Sequence, residues 1–316
     1  MNSNKVLIVG GAGYIGGQVA FASPLWDVYD NLTFENYFYL PNHFIYGDVR
    51  DHDKLKSILE DYDVIIWLAA VVGDGACNLN PLLTLDVNEN SVKWLVDNFK
   101  GRIVFASSCS VYGAYDDMLN ETSGINPLSL YANTKVNCEK ILLKHNNSII
   151  LRFGTIFGHA IRPRFDLVVN ILTAQAYLNK EIKVFGGEQW RPNVHVEDIS
   201  SAIIASVYSD KVGVFNISNE NLKIIDIAEL VKKRLPETKI TITKSPFEDN
   251  RNYKVDNSLA KDNLNWFPKY KVSYGVDQIV DVLESGRVPN PFDPIFHNLN
   301  YMANSVEISK KNRYGG

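Results

Sequence analysis

The stretch that most restricts the fold is Gly10-Gly11-Ala12-Gly13-Tyr14-Ile15-Gly16, set directly behind the apolar run Val6–Val9. Gly10, Gly13 and Gly16 have the spacing G-x-x-G-x-x-G. Behind a buried strand, glycines so placed permit a tight turn and let the backbone approach a pyrophosphate. They also seat the next helix close to the sheet, with its N-terminal amides toward the anion. A glycine cluster alone is weak evidence, and its surroundings supply the rest. Val28-Tyr29-Asp30 reads as the next strand and carries a carboxylate 14 residues after Gly16. Asp30 is suited to accept hydrogen bonds from both hydroxyls of a ribose and to repel a 2′-phosphate, so NAD is expected in preference to NADP. Gly17–Trp26 contains Pro24, which disfavours a helical interior, and a truncated helix is expected there.

Further apolar runs follow at Val64–Leu68, Ile103–Ala106, Ile149–Leu151 and Val214–Ile217. Short Val- and Ile-rich runs separated by polar periodic segments read as buried parallel strands with crossover helices, hence a doubly wound α/β domain. After Gly158 the alternation loosens, with helices expected at about Phe165–Leu178, Val196–Tyr208, Ile224–Leu235 and Tyr274–Glu284. The segment Asn193–Ile217 reads as a helix and strand that return to the main sheet. The expected division is residues 1–158 plus about 193–220 for the dinucleotide-binding domain. About 159–192 plus 221–290 form a smaller mixed α/β substrate-binding portion, and 291–316 a polar tail.

Composition narrows the class. Of 316 residues 46% are hydrophobic and 22% charged, as in an ordinary globular protein. The 32 Lys and Arg against 36 Asp and Glu give no electrostatic case for a nucleic-acid partner. No window approaches the roughly 20 continuous apolar residues of a membrane helix. The start Met1-Asn2-Ser3-Asn4-Lys5 runs straight into a strand, without room for a signal peptide. Cys77, Cys109 and Cys138 form no CxxC pair, so neither a disulfide framework nor a structural zinc is expected, and a cytoplasmic location fits.

Tyr131-Ala132-Asn133-Thr134-Lys135 places a phenol and an ammonium four residues apart, on one face of a helix. A cation there is expected to lower the phenol pKa, which a tyrosine needs before it takes a proton from a hydroxyl. Upstream, the strand Ile103–Ala106 runs into Ser107-Ser108-Cys109-Ser110-Val111-Tyr112-Gly113. An open parallel sheet presents its ligand chemistry at such carboxyl ends. Standing alone, Tyr131 and Lys135 would read as an ordinary amphipathic pair.

With the glycine turn, the serine-bearing strand end and Y-x-x-x-K in this order, the chain resembles the extended short-chain dehydrogenase/reductase family, in its NAD-dependent nucleotide-sugar epimerase/dehydratase group. The resemblance covers roughly Lys5 to Val288 and implies a Rossmann-type doubly wound sheet. It makes Ser108 the catalytic hydroxyl that bonds the reacting sugar oxygen, beside Tyr131 and Lys135, with Lys135 also holding the nicotinamide ribose. It implies that Gly10, Gly13, Tyr14, Ile15, Gly16, Asp30, Asn31, Asp48, Val49, Leu68, Ala69, Ala70 and Asn88 form the cofactor side of the site. Asn88 resembles the structural Asn of its helix and, taken singly, reads equally as a cap; the alternative for Asp48 is a turn former. Trp67 stands where the family often has His. The substrate side is expected to comprise Ser108, Ser110, Asn170, Arg191 and Arg251. The two guanidinium forks would meet a diphosphate, although each arginine could instead pair with Glu188 or Asp249. His195 is expected to make a structural hydrogen bond.

Family dehydratases place Asp and Glu after the catalytic hydroxyl, where this chain has Cys109 and Ser110. Neither can act as the additional acid and base that expelling water needs, so dehydration is disfavoured. Cys109 reads as a packing residue. What remains is oxidation at one carbon of a nucleotide-diphosphate sugar, carbon 4 by resemblance. It is followed by return of the hydride to the other face (4-epimerase) or by release of the keto sugar (4-dehydrogenase). Val72–Pro81, Arg164–Asn170 and Asp249–Tyr253 resemble a branch acting on bacterial surface-polysaccharide precursors, which includes a capsule GDP-heptose 4-dehydrogenase. The resemblance further implies a homodimer built through the helix that carries Tyr131. A non-catalytic NAD(H)-binding regulator is the rival class, disfavoured by intact Ser108, Tyr131 and Lys135.

Overall fold

The computed structural model describes residues 4–34, 41–243 and 251–304. Seven parallel strands form the central sheet: β1 (Val6–Val9), β2 (Asp27–Asp30), β3 (Phe44–Tyr46), β4 (Val64–Trp67), β5 (Arg102–Ser108), β6 (Ser148–Phe153) and β7 (Gly213–Ile217). Their spatial order is β7-β6-β5-β4-β1-β2-β3. This is the doubly wound Rossmann-type arrangement, and the chain reverses direction across the sheet beside β1, where such sheets open their ligand crevice.

The strands are apolar throughout because both faces are covered. Ile8, Ile66, Val104 and Leu151 pack on one side against Val19 and Ala20 of helix Tyr14–Ala22 and Ile199, Ala202 and Ile203 of helix Val196–Tyr208. Their neighbours Leu7, Val9, Ile65, Trp67, Phe105 and Ile150 pack on the other side against Leu55, Leu95 and Leu142. Alternate side chains of a strand point to opposite faces, so one run of Val and Ile feeds two cores. The helix after β1 is short, as Pro24 requires: nine residues, ending with Ser23 as its C-cap.

β7 joins the sheet beside β6 although some 60 residues separate them, Phe215 lying opposite Leu151. The intervening chain and the segments after β7 together build a smaller layer. Thr155–Phe157, Trp190–His195 and Glu220–Lys223 form a three-stranded sheet, and Glu181–Phe185 pairs with Lys239–Thr243. Helices Val168–Asn179, Ile224–Arg234 and Val272–Glu284 close over them around Phe157, Leu172, Ile182, Ile227 and Val276. The helix expected from Phe165 starts at Val168. Leu167 is extended, and the Asp166 carboxylate is held by Arg164 and by the amide of Asn298 instead of capping the helix.

Within the expected tail, residues 298–304 are helical, with Met302 buried beside Val71, Ala76 and Cys77. Residues beyond 304, and Asp249 and Asn250, lie outside the described residues. Among the described residues no helix is long and apolar enough to cross a membrane, and no group of three or more His, Cys, Asp or Glu is placed to hold a metal.

Candidate active site

A cavity of about 790 Å³ opens along the carboxyl ends of β1, β2, β4 and β5 and continues under the smaller layer. Its first wall is the glycine turn. Gly10 has φ +86°, and a Cβ there would stand 2.5 Å from the Ala69 amide nitrogen. The turn therefore lies against Leu68-Ala69-Ala70, whose first two amides are tied to the Val9 carbonyl at 2.8 and 3.0 Å. Gly13 caps the helix beginning at Tyr14, so unpaired amides of its first turn border the cavity. Tyr14 turns its hydroxyl to the Gly158 carbonyl (2.7 Å).

At the end of β2 the Asp30 carboxylate accepts from the amides of Ala12 (3.0 Å) and Leu32 (2.7 Å), and burial pushes its carboxyl up. Asn31 donates to Asp48 at 2.9 Å. Arg50 grips the same carboxylate and holds it well below the usual range, chiefly through its hydrogen bonds. Asp30, Asn31, Asp48 and Val49 all line the cavity. A backbone cradle that any Cβ would fill, a helix N-terminus and a carboxylate at the tip of the second strand fit a dinucleotide. Gly10→Ala is expected to abolish most of the thermal stabilisation that NAD confers, about 2.7 kcal/mol at a hundredfold excess over Kd. A melting curve with the wild-type NAD shift would contradict this cradle.

Asn88 does not line the cavity. It is buried behind the wall, where its amide clamps both backbone groups of Val71, accepting from N at 2.7 Å and donating to O at 2.9 Å. Asn88 thereby supports the segment after Ala70. Trp67 is fully buried, so the missing family histidine leaves no gap in the floor.

β5 delivers Ser108 to the cavity, and its hydroxyl accepts from the Ser110 amide at 3.1 Å to start the turn Cys109–Tyr112. Ser129 caps the helix Leu130–Leu142, accepting from the Ala132 amide at 3.2 Å, which sets Tyr131 at the first turn facing Ser108. Lys135, one turn on, is buried with Nζ donating to the Ala106 carbonyl at 2.7 Å. It stands 5.7 Å from the Tyr131 ring centre. The expected lowering of the Tyr131 phenol does not occur. Burial among protein atoms dominates and pushes it up, against smaller downward pulls from Arg164 and from the Ser108 hydroxyl. Lys135 is committed to Ala106, and burial lowers its own pKa.

At the far end Arg191 and Arg251 both line the cavity. Arg191 Nη1 donates to the carbonyls of Trp190 (2.9 Å) and Arg251, and Arg251 lies 3.5 Å from the Asp74 carboxylate. Glu188, one suggested rival partner, is held by Lys223 at 2.7 Å, and Asp249 lies outside the described residues. Asn170 does not line the cavity; its amide is engaged by both backbone groups of Gly158 and the Arg164 carbonyl. Ser110 lines the cavity with its hydroxyl unpartnered, whereas Cys109 is buried away from it with its thiol on the Arg152 carbonyl (3.2 Å). His195 is also removed from the cavity, its ring nitrogens engaged by Gln278 and the Glu197 amide.

Sequence reasoning did not assign Asp74, Arg162, Arg164 or Gln175, all of which line the cavity. Arg164 makes a two-pronged bond to Asp166 (2.8 and 2.9 Å). Burial and the nearby Arg164 push Arg162 down to about 10. Asp74 and Arg164 lie in the stretches Val72–Pro81 and Arg164–Asn170 that carry the branch resemblance, but it assigned them no role, and the fold brings all four to the wall.

A profile of the NAD dependent epimerase/dehydratase family matches residues 6–218. UDP-glucuronic acid decarboxylase 1 of Arabidopsis thaliana is 27% identical over 301 residues, covering 87% of this chain and 69% of that protein. Among solved structures, the UDP-glucuronic acid 4-epimerase of Bacillus cereus, in complex with UDP-glucuronic acid and NAD, superposes with a TM-score of 0.78 at 25% identity. That match covers 89% of this chain and 99% of the other. The UDP-glucose 4-epimerase of Thermotoga maritima, at 22% identity, shares the fold with a TM-score of 0.81 over 90% of this chain and 99% of its own. With the glycine cradle, the strand-end serine and the Tyr131–Lys135 helix facing one cavity, the chain belongs to the NAD dependent epimerase/dehydratase family and takes NAD as its cofactor.

Proposed function

We propose that the protein oxidises carbon 4 of a sugar carried on a nucleotide diphosphate and returns the hydride to the other face, as a 4-epimerase. The observation that carries this reading is the composition of the catalytic wall: Ser108, Tyr131 and Lys135 meet in the cavity, while Cys109 is turned away and position 110 is a serine. Tyr131 takes the proton of the sugar hydroxyl and Ser108 donates a hydrogen bond to the same oxygen. Lys135 holds the cofactor's ribose and stays fixed by Ala106. Bound NAD supplies the hydride acceptor and a positive charge near the phenol. Arg191 and Arg251 take the diphosphate. Relatives named as 4-epimerases support the choice of carbon.

The second reading, a 4-dehydrogenase that releases the keto sugar, uses the same residues. The resemblance to the surface-polysaccharide branch, with its GDP-heptose enzyme, favours it. Incubation with NAD and a panel of nucleotide sugars separates them. Inverted product without reduced nicotinamide supports epimerisation, net reduced nicotinamide supports the dehydrogenase, and a product that has lost water defeats the reading of Cys109 and Ser110.

The division into an NAD-binding part (1–158 and about 193–220) and a sugar-nucleotide part (about 159–192 and 221–290) belongs to the same proposal, supported by β7 lying in the central sheet. So do a cytoplasmic location and a homodimer. Exposed Leu82, on a helix that contacts the one carrying Tyr131, and Leu143, at the C-terminal end of that helix, support dimerisation. A monomer mass in solution would exclude it.

A further inference from the structure

Arg162 lies in the loop that leaves Gly158, and that loop is pinned to the first helix. The Gly158 carbonyl takes the Tyr14 hydroxyl at 2.7 Å, and both of its backbone groups bond the Asn170 amide. Three residues on, Ile161 packs against Gly17 of the same helix, where a Cβ would stand 3.2 Å from the Ile161 Cβ. Arg162 is thereby set in the cavity wall beside the start of the first helix, with only 5% of its surface exposed. Its guanidinium carbon lies 4.4 Å from the centre of the Phe34 ring, four residues past Asp30. The charges of Arg162 and Asp30 act on each other.

A guanidinium has five N–H donors, and burying them with their charge unmatched is costly. Among the described residues Arg162 makes one hydrogen bond, from Nη2 to the Asn298 side-chain oxygen at 3.0 Å, while Nε has no partner. The neighbouring carboxylates are engaged elsewhere. Asp30 accepts from the amides of Ala12 and Leu32, and Asp166 from both prongs of Arg164 and the Asn298 amide. The other cations of the wall stand at other places. Arg50 grips Asp48, Lys135 lies beside Tyr131, and Arg164 is paired with Asp166. Lys183 and Arg191 come from strands of the smaller layer, and Arg251 lies by Asp74.

The C-terminal segment backs the guanidinium from behind. Asn298 is anchored to Asp166 by its own amide, the Tyr301 ring packs 5.7 Å from that of Phe34, and Met302 is buried beside Val71 and Cys77. What this buried cation lacks is an anion, and the adjoining glycine turn and helix N-terminus receive one. We infer that Arg162 is a further ligand of the NAD diphosphate, reaching it from the loop after Gly158. The assignment concerns the cofactor and does not depend on which sugar is turned over.

The test measures NAD dissociation constants by calorimetry for the wild type, Arg162→Met, Arg162→Gln and Arg162→Lys, with melting curves of the NAD-free proteins to confirm folding. Adenosine, followed by its competition with NAD, serves as a probe that keeps base and ribose but lacks the diphosphate. Met and Gln are expected to weaken NAD about tenfold or more, with Lys recovering part of the loss and adenosine changing less than about twofold. A folded Met variant with wild-type NAD affinity overturns the inference. Equal losses for NAD and adenosine also overturn it, since a disturbed wall would weaken both. Gln recovering as much as Lys assigns the arginine to its bond with Asn298 alone and overturns it as well. If the Met variant fails to fold, the comparison of Gln with Lys decides.

Discussion

Replacing Tyr131 with Phe is expected to lower kcat by about 10²–10⁴-fold, the range that a positioned acid-base supplies, while NAD affinity stays near the wild-type value. The phenol lines the cavity and faces the Ser108 hydroxyl. Removing only its oxygen leaves the apolar ring among Leu130, Val87 and Met302 in place, so packing should change little. The pH dependence gives a second reading. Burial raises the Tyr131 pKa, and the base form is needed for oxidation, so the oxidative rate should climb with pH through the phenol's ionisation. The positive charge of NAD should bring that ionisation down from where burial alone would leave it. Tyr131→Phe should lose this ionisation from its residual rate. Wild-type turnover in the variant, or an identical pH profile, would move the acid-base role to another residue.

The Tyr131–Lys135 pair shows where sequence reasoning reaches its limit. Its spacing correctly put both groups on one helical face, but the ammonium's partner is a backbone carbonyl on β5, 29 residues away in sequence. Local periodicity is silent about such partners. The same limit explains Asn88 and Asn170. Their residue type suited a polar contact, yet both are spent on backbone groups that the fold brings to them. Elements with strong internal patterns were legible. β1 and the helix Val196–Tyr208 match their expected bounds, and the Pro24 argument predicted the short first helix. The strand Ala114–Leu119 was not legible, because five of its six residues are exposed and it carries Asp116 and Asp117. Its pairing with Asn252–Val255 nevertheless brings the chain just after Arg251 alongside the segment following Gly113. Asp74 stood in the stretch Val72–Pro81, which the resemblance singled out without assigning it a role, and the cavity wall is where the fold places it.

Glu139→Ala is expected to cost about 3–5 kcal/mol of stability, the range for breaking a buried ion pair on one side. Glu139 lies one turn beyond Lys135 and accepts two bonds from Arg152 of β6, from Nε at 3.0 Å and Nη2 at 2.7 Å. It also accepts the Ser107 hydroxyl at 2.5 Å. Both charged side chains are about 95% buried. Burial alone would push the Arg152 pKa down, but the bonds to Glu139 outweigh it and raise it, so the arginine stays charged. Alanine would strand that cation in the interior beside Tyr112, whose hydroxyl takes the third guanidinium bond at 2.9 Å. Urea denaturation should show a lower midpoint with little change in slope. Glu139→Gln, which keeps the acceptor and drops the charge, should lose less. A double replacement by apolar residues, Glu139→Leu with Arg152→Met, should recover much of the loss, because neither partner is then left charged and alone. The recovered protein is the more informative one for catalysis. The pair ties β6 to the helix that presents Tyr131, and through the Ser107 hydroxyl Glu139 also holds the end of β5, which presents Ser108. A double variant that is stable but turns over slowly would show that the ion pair sets the alignment of the two groups. A stable variant with wild-type kcat would assign it to folding alone.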